Sequence, residues 1–313
     1  MAQTVSNNKN AFSEDFSAAV LELAANAQHY SDDVCDAVHQ NADGKKILIS
    51  IRNLKQYFPV KGHRDMFVKA NDGINIDIYE GETFGLVGES GCGKSTLGRT
   101  SLQLYQQTEG RTLYYGRPLD APPPKYLHNS IKELPGRKHI LMKLHTTNRK
   151  AAEDMFLDLV HIFGGLFLSP NENEVMAAYT ERYKTSDGIT EEETKKKTET
   201  FEALRRSIAE SSMADMENFK KLEKLRDNGI NLACLTYNEM RHLRRDMQII
   251  FQDPYSSLNP RMTVGQIIGE GSLAHGFFQD ENETRSALHA HVVNVMINCG
   301  LAPYMIHRYP HQF

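Results

Sequence analysis

The segment Gly88-Glu89-Ser90-Gly91-Cys92-Gly93-Lys94-Ser95 fits the pattern G-x-x-x-x-G-K-[ST], and no other stretch narrows so sharply what this chain can fold into. Such a loop works between a buried strand and the start of a helix. Its glycines permit backbone angles that turn several N–H groups inward, and the helix N-terminus adds partial positive charge, so the assembly is built to hold an anion. The flanks agree with that order. Thr83-Phe84-Gly85-Leu86-Val87 is a short apolar run that reads as a buried parallel strand, and Thr96 to Leu104 can form a helix. The anion this loop suits is the phosphate chain of ATP or GTP. Lys94 is expected to reach the β- and γ-phosphates and the Ser95 hydroxyl to ligate Mg²⁺, with Gly88, Glu89, Ser90, Gly91, Cys92, Gly93 and Thr96 completing the cradle.

At 313 residues the chain can bury a large core and hold more than one structural unit. Its net charge of −4 argues against general nucleic-acid binding. No stretch approaches the roughly eighteen apolar residues of a membrane span, and the N-terminus lacks a basic region followed by an apolar one. Cys35, Cys92, Cys234 and Cys299 are scattered without zinc spacing, which suits free thiols in a reducing compartment, and cytoplasm is the expected location. His289, His291, His307 and His311 have no cysteine or carboxylate cluster beside them and read as surface or packing residues.

Residues 1–46 form a polar extension in which Phe12, Phe16, Ala19, Val20, Leu23, Ala24 and Ala27 recur at helical spacing. The helix this predicts lacks the Lys/Arg of a membrane-surface helix and is expected to dock on the body of the same chain. From Ile47 the period becomes two: Ile47, Ile49 and Ile51 share one face, and Ile74, Ile76 and Ile78 another. Arg111 to Tyr115 reads as a further strand, and Ala121-Pro122-Pro123-Pro124 breaks the pattern. Residues 118–237 then read as a helical insertion. Ala152, Met155, Phe156, Leu159, Val160 and Phe163 form one stripe closed by Gly164-Gly165, and Ser169-Pro170-Asn171-Glu172 starts a second helix carrying Val175, Met176 and Tyr179. Thr190 caps a third, expected to run to Asn228, whose Glu191, Glu192 and Glu193 sit four residues before Lys195, Lys196 and Lys197 on a solvated face. Met247 to Phe251 reads as another buried strand ending at Gln252. A helix from Asp280 presents Leu288, Val292, Val295, Met296 and Cys299 before Gly300.

A glycine loop alone leaves kinase, GTPase, helicase and transporter motor open. The segment Phe251-Gln252-Asp253-Pro254-Tyr255-Ser256-Ser257-Leu258-Asn259-Pro260-Arg261-Met262-Thr263-Val264-Gly265 narrows the choice. It resembles the glutamine loop of ABC-transporter ATPases, in the wording of ATP-binding subunits of bacterial dipeptide and oligopeptide importers. Gly85 to Arg99 resembles the same subfamily, and so does Arg308-Tyr309-Pro310-His311-Gln312-Phe313, which in that family immediately precedes the signature sequence. The resemblance covers 47–117 and 238–313, the two parts of an ABC-type nucleotide-binding domain, and leaves 118–237 outside.

That resemblance implies an α/β P-loop fold of ABC type: an incomplete parallel sheet with antiparallel strands, a helical subdomain and the helical insertion. It implies MgATP as cofactor, with Gln252 touching the Mg²⁺ sphere and the attacking water and sensing the γ-phosphate. By spacing, Phe58 stacks on adenine, with Tyr57 as second candidate. The implied partners are membrane permease subunits, a second ABC ATPase subunit of the same or related sequence and, indirectly, an extracellular peptide-binding protein, with no nucleic acid. The expected place is cytoplasmic and peripheral on the inner face of the cell membrane. The family's signature, its Mg²⁺-binding acid with the catalytic glutamate, and its switch histidine have no copy within 1–313, so this chain is expected to be truncated, to bind MgATP and not to hydrolyse it alone. Two other readings stay open: a GTPase, although N-K-x-D is absent, and a non-catalytic nucleotide-gated binding module.

Overall fold

The computed structural model describes residues 15–25, 45–116, 123–182, 191–212, 216–227, 229–253, 257–278 and 281–313. The chain divides into two compact units, Met1–Thr236 and Tyr237–Phe313.

In the first unit the isoleucine alternation forms β1 (Ile47–Pro59) and β2 (Phe67–Tyr79), followed later by β3 (Glu109–Tyr114) and the short β4 (Ile230–Asn231). All pair antiparallel in the order β2-β1-β3-β4. Ile49 stands opposite Ile78, Ile51 opposite Ile76 and Leu54 opposite Ile74, so the period-two faces meet across the ladder. That face packs on α2 (Lys94–Ser101), where Ile51, Leu54 and Leu97 form a small core edged by Ile49, Ile74 and Ile76.

The α/β class and its antiparallel strands agree with the sequence. The buried strands expected at 83–87, read as parallel, and at 247–251 do not form: neither segment pairs with a strand among the described residues, and Val87 and Ile250 are 91% and 98% exposed. Apolar composition predicts burial but carries no partner. Without a ladder, the backbone groups of such a segment turn to solvent and most of its side chains follow, Met247 alone of 247–251 staying buried.

The helical stretch is the better packed part. A helix over residues 15–25 (α1) is followed beyond β3 by α3 (Lys125–Lys132), α4 (Leu134–Thr147), α5 (Arg149–Phe163), α6 (Glu172–Arg182), α7 (Glu191–Ser212) and α8 (Met216–Glu223). The predicted stripe on α5 is buried as Ala152, Phe156, Leu159, Val160 and Phe163, and the Asn148 side chain caps the helix by accepting from the Ala151 N–H at 3.2 Å. Helix α6 starts at Glu172, after Ser169 and Pro170, because Ser169 Oγ accepts instead from the Asn171 N–H in a turn. Helix is described over Glu191–Ser212 and Met216–Glu223, and past Glu223 the chain turns, short of the expected end at Asn228. Glu192, Glu193, Lys195 and Lys196 are exposed, in keeping with a solvated face.

Helix α1 docks on this body through Phe16, Val20 and Leu23, all in the same core. Lys138, buried, donates to the Ser169 carbonyl at 2.9 Å, pairs with Glu172 at 3.2 Å and lies over the rings of Phe16 and Phe167. Burial pushes its pKa down, against the pull of Glu172. Arg205, also buried, bonds Glu223, the Tyr179 hydroxyl and the Phe163 carbonyl, so α6, α7 and α8 share one ionic hub.

The second unit holds α9 (Tyr237–Leu243), α10 (Val264–Ala274) and α11 (Glu281–Asn298). Thr263 and Gln266 form a capping box at the start of α10, and Val292, Met296 and Ile306 make the core with Leu288 and Val264 against it. Cys299, placed on the apolar face by sequence, is exposed. The predictions resting on Phe12, Ala27, Ala121, Pro122, Thr190, Asn228, Pro254 to Ser256 and Asp280 lie outside the described residues.

Candidate functional site

Strand β2 ends at Tyr79 and the chain runs without a ladder to Gly88, turns through the glycine loop and enters α2 at Lys94. Gly93 is the residue before the helix and adopts φ 94°, ψ 2°, a left-handed conformation that side-chain-bearing residues rarely take. The space around it also admits only glycine. A Cβ on Gly93 would lie 2.3 Å from the Ala70 carbonyl oxygen and 2.9 Å from Asn71 Nδ2. Gly91, at φ 82°, has open space around it and needs glycine for conformation alone.

Lys94 is the first helical residue, and its Nζ folds back to donate to the carbonyls of Gly88, at 2.8 Å, and Glu89, with Cys92 Sγ 3.4 Å away. Gly88 to Cys92 and Ser95 are exposed and Thr96 is half-buried, so the loop faces solvent. The first turn of α2 carries no acidic side chain to oppose an anion. The loop thus presents a cation on a flexible stem, an uncapped helix N-terminus and a hydroxyl at the second helical position.

Phe58, on β1, meets Tyr105 edge-on at 5.4 Å, and the Tyr105 hydroxyl accepts from Arg99 on α2 at 3.1 Å. This ring chain brings Phe58 to the same helix that the loop opens. Tyr57 is engaged elsewhere: its hydroxyl bonds Asp72, Lys69 lies 5.2 Å over its ring, and its N–H donates to Thr108 Oγ1 at 3.0 Å. The Asp72 bond holds the Tyr57 hydroxyl above its ordinary pKa. Gln252 belongs to the other compact unit, where it is exposed in a bend and not at the end of a strand as expected.

Sequence reasoning missed two amides under the loop. Gln56 on β1 and Asn71 on β2 are register partners, both buried, and both face α2. The available signal pointed the wrong way, since Asn71-Asp72-Gly73 has the composition of a turn and lies in a strand. Away from the loop, a cleft of about 460 Å³ lies against β1, β3 and α5, and none of the residues assigned above lines it. Its walls carry the ion pairs Arg111–Asp158, at 2.9 Å, and Lys55–Glu109–Lys150, at 2.9 and 2.5 Å. Burial together with Arg111 holds His161 in this cleft neutral, its pKa well below the ordinary value. Among the described residues no group of three or more His, Cys, Asp or Glu is arranged to hold a metal ion, and no helix is long and apolar enough to cross a membrane.

The model of the family described as ABC transporter matches residues 71–232, just over half of the chain, and the match begins on β2 and takes in the whole glycine loop. The chain belongs to the ABC transporter family. Among its relatives, Oligopeptide transport ATP-binding protein OppF of Escherichia coli (strain K12) is 26% identical over 277 residues, covering 87% of this chain and 48% of the relative. The protein of the same name from Bacillus subtilis (strain 168) is 28% identical over 266 residues, covering 85% and 48%. Peptidoglycan transport ATP-binding protein YejF of Agrobacterium fabrum (strain C58 / ATCC 33970) is 41% identical over 87 residues, covering 27% and 15%. The chain thus spans about half the length of the relatives that it matches over most of its own.

Proposed function

We propose that this chain is the ATP-binding part of an ABC-transporter subunit that energises import of peptides, and that it binds MgATP in the loop Gly88–Thr96. One observation carries the reading: Gly93 takes a left-handed turn that only glycine fits, delivering Lys94 to the first turn of an exposed, acid-free helix N-terminus. The loop N–H groups and the α2 dipole would hold the phosphates. Lys94 would exchange its carbonyl partners for anionic β- and γ-oxygens, a stronger, charge-assisted bond. Bound Mg²⁺ would offset phosphate charge, with Ser95 as its ligand from the loop. Gln252 is assigned a contact to the Mg²⁺ sphere by resemblance, and Phe58 the adenine stack.

The names of the relatives, oligopeptide transport ATP-binding proteins, support peptide as the cargo class; membrane permease subunits and a second ATPase subunit as partners, and a cytoplasmic, membrane-peripheral location, are assigned by the family resemblance alone. Within 1–313 there is no Ser-Gly-Gly-Gln stretch, and we assign this stretch of chain nucleotide binding without turnover. We also treat 118–237 as an insertion into the nucleotide domain formed by 47–117 and 238–313, with 1–46 as its extension.

Calorimetric titration tests the central reading. Wild type is expected to take up MgATP in preference to MgGTP, and Lys94→Ala to lose most of that affinity; equal affinity in the two proteins sinks the assignment. Turnover by 1–313 above background, abolished by Lys94→Ala, would refute the binding-only part. Removing residues 1–44 together with 123–227, joined by a short linker, should leave MgATP binding in place; a folded, soluble deletion without binding would make the helical stretch part of the nucleotide fold.

A further inference from the structure

A buried amide sits directly under the phosphate loop with its oxygen unbonded. Asn71 is 6% exposed; its Nδ2 lies 3.4 Å from the Gly93 carbonyl oxygen, and its Oδ1 is buried with no hydrogen-bond partner. The Gly93 carbonyl also accepts the first bond of the helix, from the Leu97 N–H at 2.8 Å. Asn71 therefore holds the group that both ends the loop and begins α2. Its register partner Gln56, 4% exposed, accepts from Thr100 Oγ1 at 3.5 Å near the other end of the same helix. Adjacent strands thus each send one amide to α2, one at its entry and one at its last turn.

We propose that Asn71 is a positioning residue of the phosphate site: with Gln56 it clamps α2 to the β1–β2 ladder and fixes Gly93 in the left-handed conformation that presents Lys94. The inference rests on the reading of the loop as a nucleotide site. Its physical basis is an asymmetry. An unsatisfied buried acceptor costs stability, and an apolar side chain of similar size would remove that cost. An amide placed here for packing alone would be a poor choice. An amide placed to orient Gly93 loses stability and gains loop geometry, and the two effects separate on substitution.

The test is Asn71→Leu in the full chain, with melting temperature and MgATP affinity measured on the same preparation. Melting at or above the wild-type temperature is expected, with MgATP bound roughly three- to tenfold more weakly, the loss of one ordinary hydrogen bond expressed at the loop. A merely structural residue would move both in the same direction or leave affinity alone. If the leucine is too large for the site and the variant does not fold, Asn71→Ala carries the same prediction for affinity. Affinity within twofold of wild type in either folded variant, while Lys94→Ala abolishes binding, overturns the role of Asn71 and leaves the nucleotide reading standing. Equal binding by wild type and Lys94→Ala overturns both.

Discussion

In the helical stretch Phe156, Leu159, Val160, Phe163, Leu166 and Phe167 are each 0% exposed, whereas the phosphate-loop helix has Leu97, 6% exposed, as its one buried apolar anchor. Both lie in the same compact unit. The helices cohere because their stripes remove large side chains from water, an effect proportional to area. The loop coheres through backbone geometry, a left-handed glycine and a few polar contacts made by exposed groups, which a ligand can reach. Stability and binding therefore draw on different residues, and a substitution in one region should leave the other's observable nearly unchanged.

The largest effect expected is on the helical side. Phe156→Ala opens a cavity beside Phe167 and should cost about 3–5 kcal/mol in denaturant unfolding, with MgATP affinity of the folded fraction unaltered. A parallel loss of affinity would mean that the helices carry the loop. The converse experiment is Lys94→Ala. Its ammonium bonds carbonyls of exposed loop residues, so melting should be unchanged while MgATP binding weakens tenfold or more, about 1.5–3 kcal/mol for charge-assisted contacts. A destabilised Lys94→Ala would show that the ammonium is a structural tie across the loop. Between the two lies Leu97→Ala, where the comparison should fail. Leu97 joins α2 to Ile51 and Leu54, so truncation is expected to cost about 2 kcal/mol of stability and to weaken MgATP binding as well. Unchanged affinity there would free the loop from its small core and leave the buried amides as its main support.

How much of this was legible in the sequence follows the same division. Period-two isoleucines gave β1 and β2, and the period of 3.6 gave α5 with its buried face, because each pattern states which side of one element is apolar. The glycine loop was legible because left-handed φ and close approach admit almost no other residue. Phe84, Leu86 and Ile250 were misread because apolarity says that a residue benefits from burial and not what lies opposite it. Asn71 and Gln56 were invisible for the opposite reason: a buried amide matters through the atom it faces, and that atom belongs to a helix over twenty residues away in sequence.

The smallest effect tests the seam between the two regions, where the contacts are ionic. Glu109 on β3 accepts from Lys150 on α5 at 2.5 Å and from Lys55 on β1 at 2.9 Å, and those two ammonium groups, Lys150 first, hold its carboxyl below the ordinary value of 4.5. In the window below pH 4.5 the folded chain thus carries fewer protons at Glu109 than the unfolded chain, so stability from this group is fully present above that pH and drains away as pH falls through the depressed pKa. The same bonds raise Lys55 and Lys150 above 10.5, and their contribution is lost at the other extreme, as pH rises through those values. Other carboxylates titrate in the same range, so only a variant isolates the contribution of Glu109. Glu109→Gln should flatten the loss of melting temperature below pH 4.5 while lowering stability at neutral pH by about 0.2–1 kcal/mol, the range of partly exposed pairs. Identical acid limbs in variant and wild type would mean that Glu109 is as free in the folded chain as in the unfolded one, and would shift the tie between sheet and helices onto Arg111–Asp158 and the Tyr115 hydroxyl, which donates to Asp227 at 2.7 Å.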